Sequence, residues 1–173
     1  TFDDGYSDNF TNAYPILMKY GVPAAIFIAT EFINKANGLS SENIVLMNSA
    51  NIIFGAHTKN HTVLSDVDRD VAASEIFESK KELEVILEHN VRYFAYPYGK
   101  RGRDFNDESV SIVKESGYDA AFSTNNGCIT AGSEIFALER IGIRNFPMFA
   151  FKVRVSGILG NKLINHMLKF FKI

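Results

Sequence analysis

Three short segments of the sequence combine residue types that can carry out hydrolytic chemistry. Asp3 and Asp4 are adjacent carboxylates before a glycine, residues 57–61 (His-Thr-Lys-Asn-His) hold two histidines four positions apart, and residues 96–99 are Tyr-Pro-Tyr-Gly. Each segment lies where a predicted buried strand ends, and in parallel α/β folds ligands gather at the carboxyl ends of the strands. We therefore expect the three segments to contribute to one site.

The aspartate pair offers two carboxylates that point in different directions. Adjacent side chains on an extended segment face opposite sides, so one carboxylate can bind a metal while the other stays free as a base. Asp-Gly is also a common turn dipeptide, and a plain turn is the alternative at this position.

His57 and His61 have the spacing of two metal ligands on one face of a helical turn. Half of the 4 histidines of the chain lie in this segment, which favours a metal over two solvent-exposed loop histidines. One carboxylate would complete a site with open positions for water and substrate. A closed structural zinc site needs four protein ligands, and the single Cys128 is not near either pair.

The third segment combines a rigid turn with aromatic rings. Pro97 and Gly99 on either side of Tyr98 favour a turn in which a backbone N–H faces a cavity, and aromatic rings suit the faces of a sugar. We predict that Tyr96, Pro97 and Tyr98 bind substrate. An aromatic strand end without a ligand is the alternative.

The elements that position these segments alternate between strand and helix. Apolar runs predict buried strands at residues 23–29, 52–56, 93–96 and 119–123, with a further strand at 136–138. Helices are predicted at residues 7–20 (with Pro15 as a kink or restart), 68–89, 108–116 and 160–173. Repeated β–α units indicate a parallel α/β sheet or barrel rather than a sandwich.

Length and composition indicate one folded domain. The 173 residues, 46% of them hydrophobic, are enough for a sizeable core, and no run of about 18 apolar residues occurs. The net charge of −2 argues against nucleic acid as a partner. The chain opens on Thr1 rather than Met, so we expect a piece of a longer protein whose targeting segment, and hence its location, is not visible.

Together, residues 1–5, 57–61 and 96–99 resemble the first three motifs of the polysaccharide deacetylase family, the NodB-homology carbohydrate esterases. The likeness continues through residues 117–122 and 138–142 and so covers most of the chain. The resemblance implies one catalytic domain over residues 1–173, folded as a distorted (β/α) barrel with fewer than eight strands and a truncated first strand.

The resemblance also implies a role for each motif residue. Asp4, His57 and His61 would bind one divalent metal, usually zinc, with cobalt, nickel or manganese as alternatives. Asp3 would be the general base that takes a proton from the attacking water, and the backbone N–H of Tyr98 would help to hold the oxyanion. Both roles agree with the physical needs of metal-assisted hydrolysis.

The chain departs from the family pattern at three points. Many members carry an arginine two residues before the proline of the third motif, where it orients the base, and this position is Ala95. The chain has no Trp for the fourth motif, and no histidine fits the late Leu-x-His motif. We predict that Arg140 replaces the absent arginine and holds Asp3 ionised; a surface arginine is the alternative.

The sequence therefore predicts a metal-dependent hydrolase that removes N-acetyl groups from amino sugars of a polysaccharide or glycan, which favours the cell envelope or another extracytoplasmic location. Two alternatives stay open. One is a hydrolase of another non-peptide C–N bond on the same fold, and the other is a catalytically degenerate domain that binds carbohydrate. The oligomeric state is not indicated.

The C-terminal segment is basic. Seven Lys or Arg and no acidic residue occur from Arg140 onward, which leaves 11 basic and 20 acidic residues before it. Near residues 160–173, apolar and basic side chains fall on opposite faces of the predicted helix. We predict a closing helix on the core; peripheral contact with an anionic membrane is the alternative.

Overall fold

A four-stranded parallel sheet forms the centre of the fold. The computed structural model describes residues 1–48, 51–143 and 147–156. The strands are β1 (Ala24–Ile28), β2 (Ile52–Ala56), β3 (Tyr93–Ala95) and β4 (Ala120–Phe122). They lie side by side in chain order, and every pairing is parallel. The predicted α/β class with parallel strands is confirmed.

Helices connect the strands. The described residues form α1 (Tyr14–Tyr20), α2 (Ser41–Met47), α3 (Arg69–Leu87), α4 (Asp107–Glu115) and α5 (Met148–Val155). A π-helical turn (Asn9–Ala13) precedes α1, and 3-10 turns occupy Thr30–Phe32 and Leu64–Asp66. No helix in the described ranges combines the length and the apolar character needed to cross a bilayer.

Single parallel bridges extend the sheet at both edges. Phe2 pairs with Ile26 of β1, and Leu138 pairs with Phe122 of β4. The described sheet thus has six parallel positions in chain order, of which the first and last are one bridge long. The predicted strand at residues 136–138 is one of these bridges.

The core covers the sheet, as the continuous apolar runs predict. Three consecutive residues of β1 (Ile26, Phe27, Ile28) are fully buried, so this strand contributes side chains to both faces of the sheet. Ile76 and Leu83 of α3 are equally buried and join the same cluster. Each such side chain stabilises the fold by about 1.5–3 kcal/mol relative to an exposed one.

The helices differ from prediction at residues 7–20 and at α2 and α5, neither of which was predicted. The predicted helix at residues 7–20 is a π-helical turn followed by α1, with Pro15 in the first helical turn, where its missing N–H is not needed. Helix α2 is not marked by an apolar stripe but by its capping box, in which Ser40 and Asn43 bond to each other's backbone N–H. The predicted helix at residues 160–173 lies outside the described residues.

Candidate functional site

The three motif segments meet at the carboxyl end of the sheet. The aspartate pair follows the bridge at Phe2, His57 follows β2, and the Tyr-Pro-Tyr-Gly segment follows β3. The Oδ1 atom of Asp4 lies 3.4 Å from Nε2 of His57 and 3.2 Å from Nε2 of His61. The predicted convergence on one site is present in the structure.

The donors of Asp4, His57 and His61 suit a divalent metal. One ligand atom from each of these residues lies within 4.8 Å of the other two. Donors about 2.0–2.1 Å from a tetrahedral zinc ion are roughly 3.3 Å apart, and both Asp4–histidine separations are close to this value. Three protein ligands also leave a position for water or substrate, as in catalytic zinc sites.

Strand β3 orients His57. The Nδ1 atom of this buried imidazole lies 2.7 Å from the carbonyl oxygen of Ala95. A proton on Nδ1 donates to that carbonyl, so Nε2 is the nitrogen available to a metal when it is unprotonated, the arrangement usual for metal-binding histidines. Hydrogen bonds with His57 and His61 hold the pKa of the Asp4 carboxyl well below its usual range, so the third donor is charged at neutral pH.

The histidine segment is a tight loop, and the expected helical turn is wrong. Thr58 (φ 60°) and His61 (φ 59°) have left-handed backbone, and the N–H of Thr62 donates to Oγ1 of Thr58 at 3.0 Å. The ring centroids of His57 and His61 nevertheless lie 4.9 Å apart. Contacts with neighbouring elements, rather than helical hydrogen bonds, produce this approach.

Left-handed backbone is concentrated at the site. Six non-glycine residues in the described part of the chain have positive φ, and four of them lie in the three motifs: Asp4, Thr58, His61 and Tyr98. Such residues cost of order 1–3 kcal/mol each and persist only where the surrounding structure holds them. Placing these side chains at the site therefore lowers the free energy of unfolding of the chain.

Arg140 holds Asp3 through both carboxylate oxygens. Its two terminal nitrogens each donate to one oxygen of Asp3 at 2.7 Å, a bidentate, charge-assisted arrangement. Its Nε donates to the carbonyl oxygen of Ser123 at 2.8 Å, and the side chain is only 13% exposed. Arg140 is therefore not a surface arginine, and the contact predicted in place of the missing motif arginine is present.

The third motif is divided between the core and the site. Tyr96 is fully buried; its ring stacks on Phe105 with 3.8 Å between centroids, and its hydroxyl donates to Phe136 O at 2.9 Å. Burial raises the pKa of Tyr96. Its side chain belongs to the core, which corrects the expectation that this ring meets a sugar.

Tyr98 faces the site instead. Its side chain is 55% exposed, and its ring centroid lies 4.8 Å from that of His61. Pro97 and Gly99 close the turn around it, because the N–H of Gly99 donates to Pro97 O at 2.6 Å. None of the described residues accepts a hydrogen bond from the backbone N–H of Tyr98, so this donor is available to a ligand.

Two residues near the site carry no motif signal. The ring of Phe32 stacks beside His61 with 6.3 Å between centroids. Glu75 of α3 accepts hydrogen bonds from the histidine loop. The sequence marks Glu75 only as an acidic residue on the buried side of a helix. The apolar pattern of α3 does not indicate a role for it.

The chain belongs to the polysaccharide deacetylase family, whose sequence profile matches residues 1–121. Among its relatives, YxkH of Bacillus subtilis (strain 168), named as a polysaccharide deacetylase, is 31% identical over 143 residues, which cover 83% of this chain and 50% of YxkH. The poly-beta-1,6-N-acetyl-D-glucosamine N-deacetylase of Staphylococcus epidermidis is 28% identical over 158 residues, covering 83% of this chain and 53% of that protein.

A solved structure confirms the fold. The Streptococcus pyogenes deacetylase PplD, in complex with acetate, matches with a TM-score of 0.78 at 32% identity, over 82% of this chain and 62% of PplD. The fold is thus the distorted barrel of the NodB-homology deacetylases, as the resemblance implies. The chain spans about half the length of the two sequence relatives.

We predict that His61→Ala removes zinc binding and leaves the fold largely intact, because two protein donors remain where three converge. The affinity should fall by more than the roughly 10–100-fold typical of changes outside the ligand shell. Elemental analysis after gel filtration measures the zinc content. His89→Ala is the control, since His89 contacts Asn48 outside the site. Equal zinc content in the two variants would contradict the assignment.

Proposed function

We propose that this chain is the catalytic domain of a metal-dependent hydrolase that removes acetyl groups from N-acetylated amino sugars of a polysaccharide or glycan. The observation that carries the proposal is the convergence of Asp4, His57 and His61 beside a second carboxylate, Asp3, that is held by Arg140. A carboxylate outside the ligand set, next to a candidate Lewis acid site, is the arrangement that amide hydrolysis needs. Relatives named as deacetylases support the same reaction.

Each residue of the site has a chemical task in this reaction. Asp4, His57 and His61 would hold the ion, which supplies Lewis acidity and lowers the pKa of water from about 15.7 toward 7. Asp3 accepts the proton of the attacking water, and Arg140 keeps its carboxylate in one orientation. The backbone N–H of Tyr98 donates to the oxygen of the amide carbonyl as negative charge develops there.

The surroundings of the site favour a sugar substrate. The exposed ring of Tyr98 beside His61 offers an apolar face against which a pyranose can lie. A relative that acts on poly-beta-1,6-N-acetyl-D-glucosamine supports an envelope polysaccharide and, with it, an extracytoplasmic location. Zinc is the metal we propose, because two imidazoles and one carboxylate are donors that it commonly takes.

We predict acetate release from N-acetylglucosamine oligomers by the 173-residue chain. Release should stop when a chelator removes the metal and return when zinc is added, which an enzymatic acetate assay with matched blanks can measure. Metal binding without acetate release would favour another C–N substrate. A folded chain that binds oligomers without metal or turnover would favour the degenerate domain.

Asp3 and Asp4 should have separable effects. Asp3→Asn is expected to retain zinc and lose roughly 10²–10⁴-fold in kcat, the usual contribution of a general base. Asp4→Asn is expected to weaken zinc binding, because it replaces a charged ligand with a neutral amide. Zinc titration and initial rates on both variants check this. Identical behaviour of the two variants would refute the proposed division of roles.

Loss of Arg140 should slow the reaction without removing the metal. A hydrogen bond to a charged group contributes about 1.5–3 kcal/mol, so Arg140→Ala should lower kcat roughly 10–100-fold with zinc content unchanged. Arg92→Ala is the control, since Arg92 forms an exposed ion pair with Asp119. Parent-like kcat in Arg140→Ala would show that the clamp on Asp3 is structural only.

A further inference from the structure

The loop between the two histidines does not hold its shape by itself. It contains two left-handed, non-glycine residues, Thr58 and His61, and such backbone persists only under outside constraint. Part of that constraint comes from the turn after β1, where the N–H groups of Thr30 and Glu31 donate to the carbonyls of Thr58 and Lys59 at 3.3 and 2.9 Å. These bonds use carbonyl groups of the loop. The N–H groups of Lys59 and Asn60 have other partners.

The carboxylate of Glu75 in α3 accepts hydrogen bonds from this part of the loop. Its Oε2 accepts from the backbone N–H of Asn60 at 2.8 Å, and its Oε1 accepts from Nδ2 of Asn60 at 2.6 Å. The backbone N–H of Lys59 is shared between Oε2 and the backbone carbonyl of Glu75, each at 3.1 Å. The residue is only 8% exposed. A buried carboxylate needs such partners, and here all three come from the segment between the two histidines.

A second set of contacts joins the same loop to the same helix. The ammonium of Lys59 lies 2.6 Å from Glu78 and 3.0 Å from Glu82, and the hydroxyl of Thr30 donates to Glu82. Glu78 and Glu82 are about 40–50% exposed, so solvent screens these pairs. The contact of Glu75 with the backbone is the sheltered one.

We propose that Glu75 is a positioning residue for the metal: its carboxylate fixes the loop so that His57 and His61 present their Nε2 atoms together. The inference rests on the metal site of the proposed function. Without these acceptors the left-handed loop relaxes and the two rings separate, and the metal then has to reorder the loop when it binds, at the expense of affinity.

Zinc affinity of the metal-free protein, measured by competition with a chromophoric chelator, tests this without an activity assay. Glu75→Leu has similar size but no acceptor, and should bind zinc about 10–100-fold more weakly, the usual effect of changes outside the ligand shell. Glu75→Gln should recover affinity to within about 3-fold, because its oxygen replaces Oε2 while its amide group can donate to a rotated Asn60 side chain.

Glu84→Leu is the matched control. Glu84 lies on the same helix, is partly buried, and accepts a hydrogen bond from the N–H of Val91 at 3.0 Å, away from the histidine loop. It should lower the melting temperature as Glu75→Leu does, but leave zinc affinity unchanged. Equal affinity in Glu75→Leu and the parent, or equal losses in the two leucine variants or in Glu75→Gln and Glu75→Leu, would overturn the proposal.

Hydrogen exchange of the unsubstituted, metal-free chain tests the proposal even if Glu75→Leu does not fold. The amide proton of Asn60 should exchange slowly, since the Glu75 carboxylate accepts from it before metal arrives. Fast exchange of the Asn60 amide proton would overturn the inference. A parent chain that binds no zinc at all would instead refute the proposed function, so the two failures are distinguishable.

Discussion

The ion pair between Asp3 and Arg140 joins the two ends of the sheet. Asp3 follows Phe2 at the first strand position and Arg140 follows Leu138 at the last. Because these positions are at opposite edges of the described sheet, a bidentate contact between them requires the sheet to curve until its edges meet. An interaction that joins the two edges of the sheet is therefore also the one that orients the candidate base.

The ion pair between Asp3 and Arg140 both joins the sheet edges and orients Asp3, and this affects the cost of breaking it. Arg140 is largely buried and also donates to the carbonyl of Ser123, so removing either partner would leave a charge with few compensating contacts, which costs more than the intact pair contributes. The third motif has Ala95 where many family members have an arginine. Arg140, after the last strand position, can orient Asp3 instead.

Ala95 illustrates how one position can serve the site without a functional side chain. Its side chain is small and buried, and its backbone carbonyl accepts from the imidazole of His57. The histidine is therefore oriented by strand β3 regardless of the side chain at residue 95. At the site, left-handed backbone lies in the segments that follow the strands, at Asp4, Thr58 and Tyr98.

The sequence by itself determined the parallel α/β fold and indicated the candidate metal-binding residues and a candidate partner of Asp3. Short apolar runs are local signals of buried strands, and the motif residues follow such runs, so their meeting at one end of the sheet follows from the geometry of parallel strands. The position of Arg140 after the last apolar stretch made it a candidate for the same site, and the structure shows its contact with Asp3.

Only the tertiary structure decided the bend of the histidine loop, the burial of Tyr96 and the contacts of Glu75. A spacing of four suits both a helical turn and a tight loop, and the choice depends on the acceptors that α3 supplies and the N–H donors that the turn after β1 supplies. Tyr96 and Tyr98 are the same residue type two positions apart, yet Phe105 covers the first ring and leaves the second exposed. Contacts between distant segments leave no period or turn signature in the sequence, because packing alone brings the partners together.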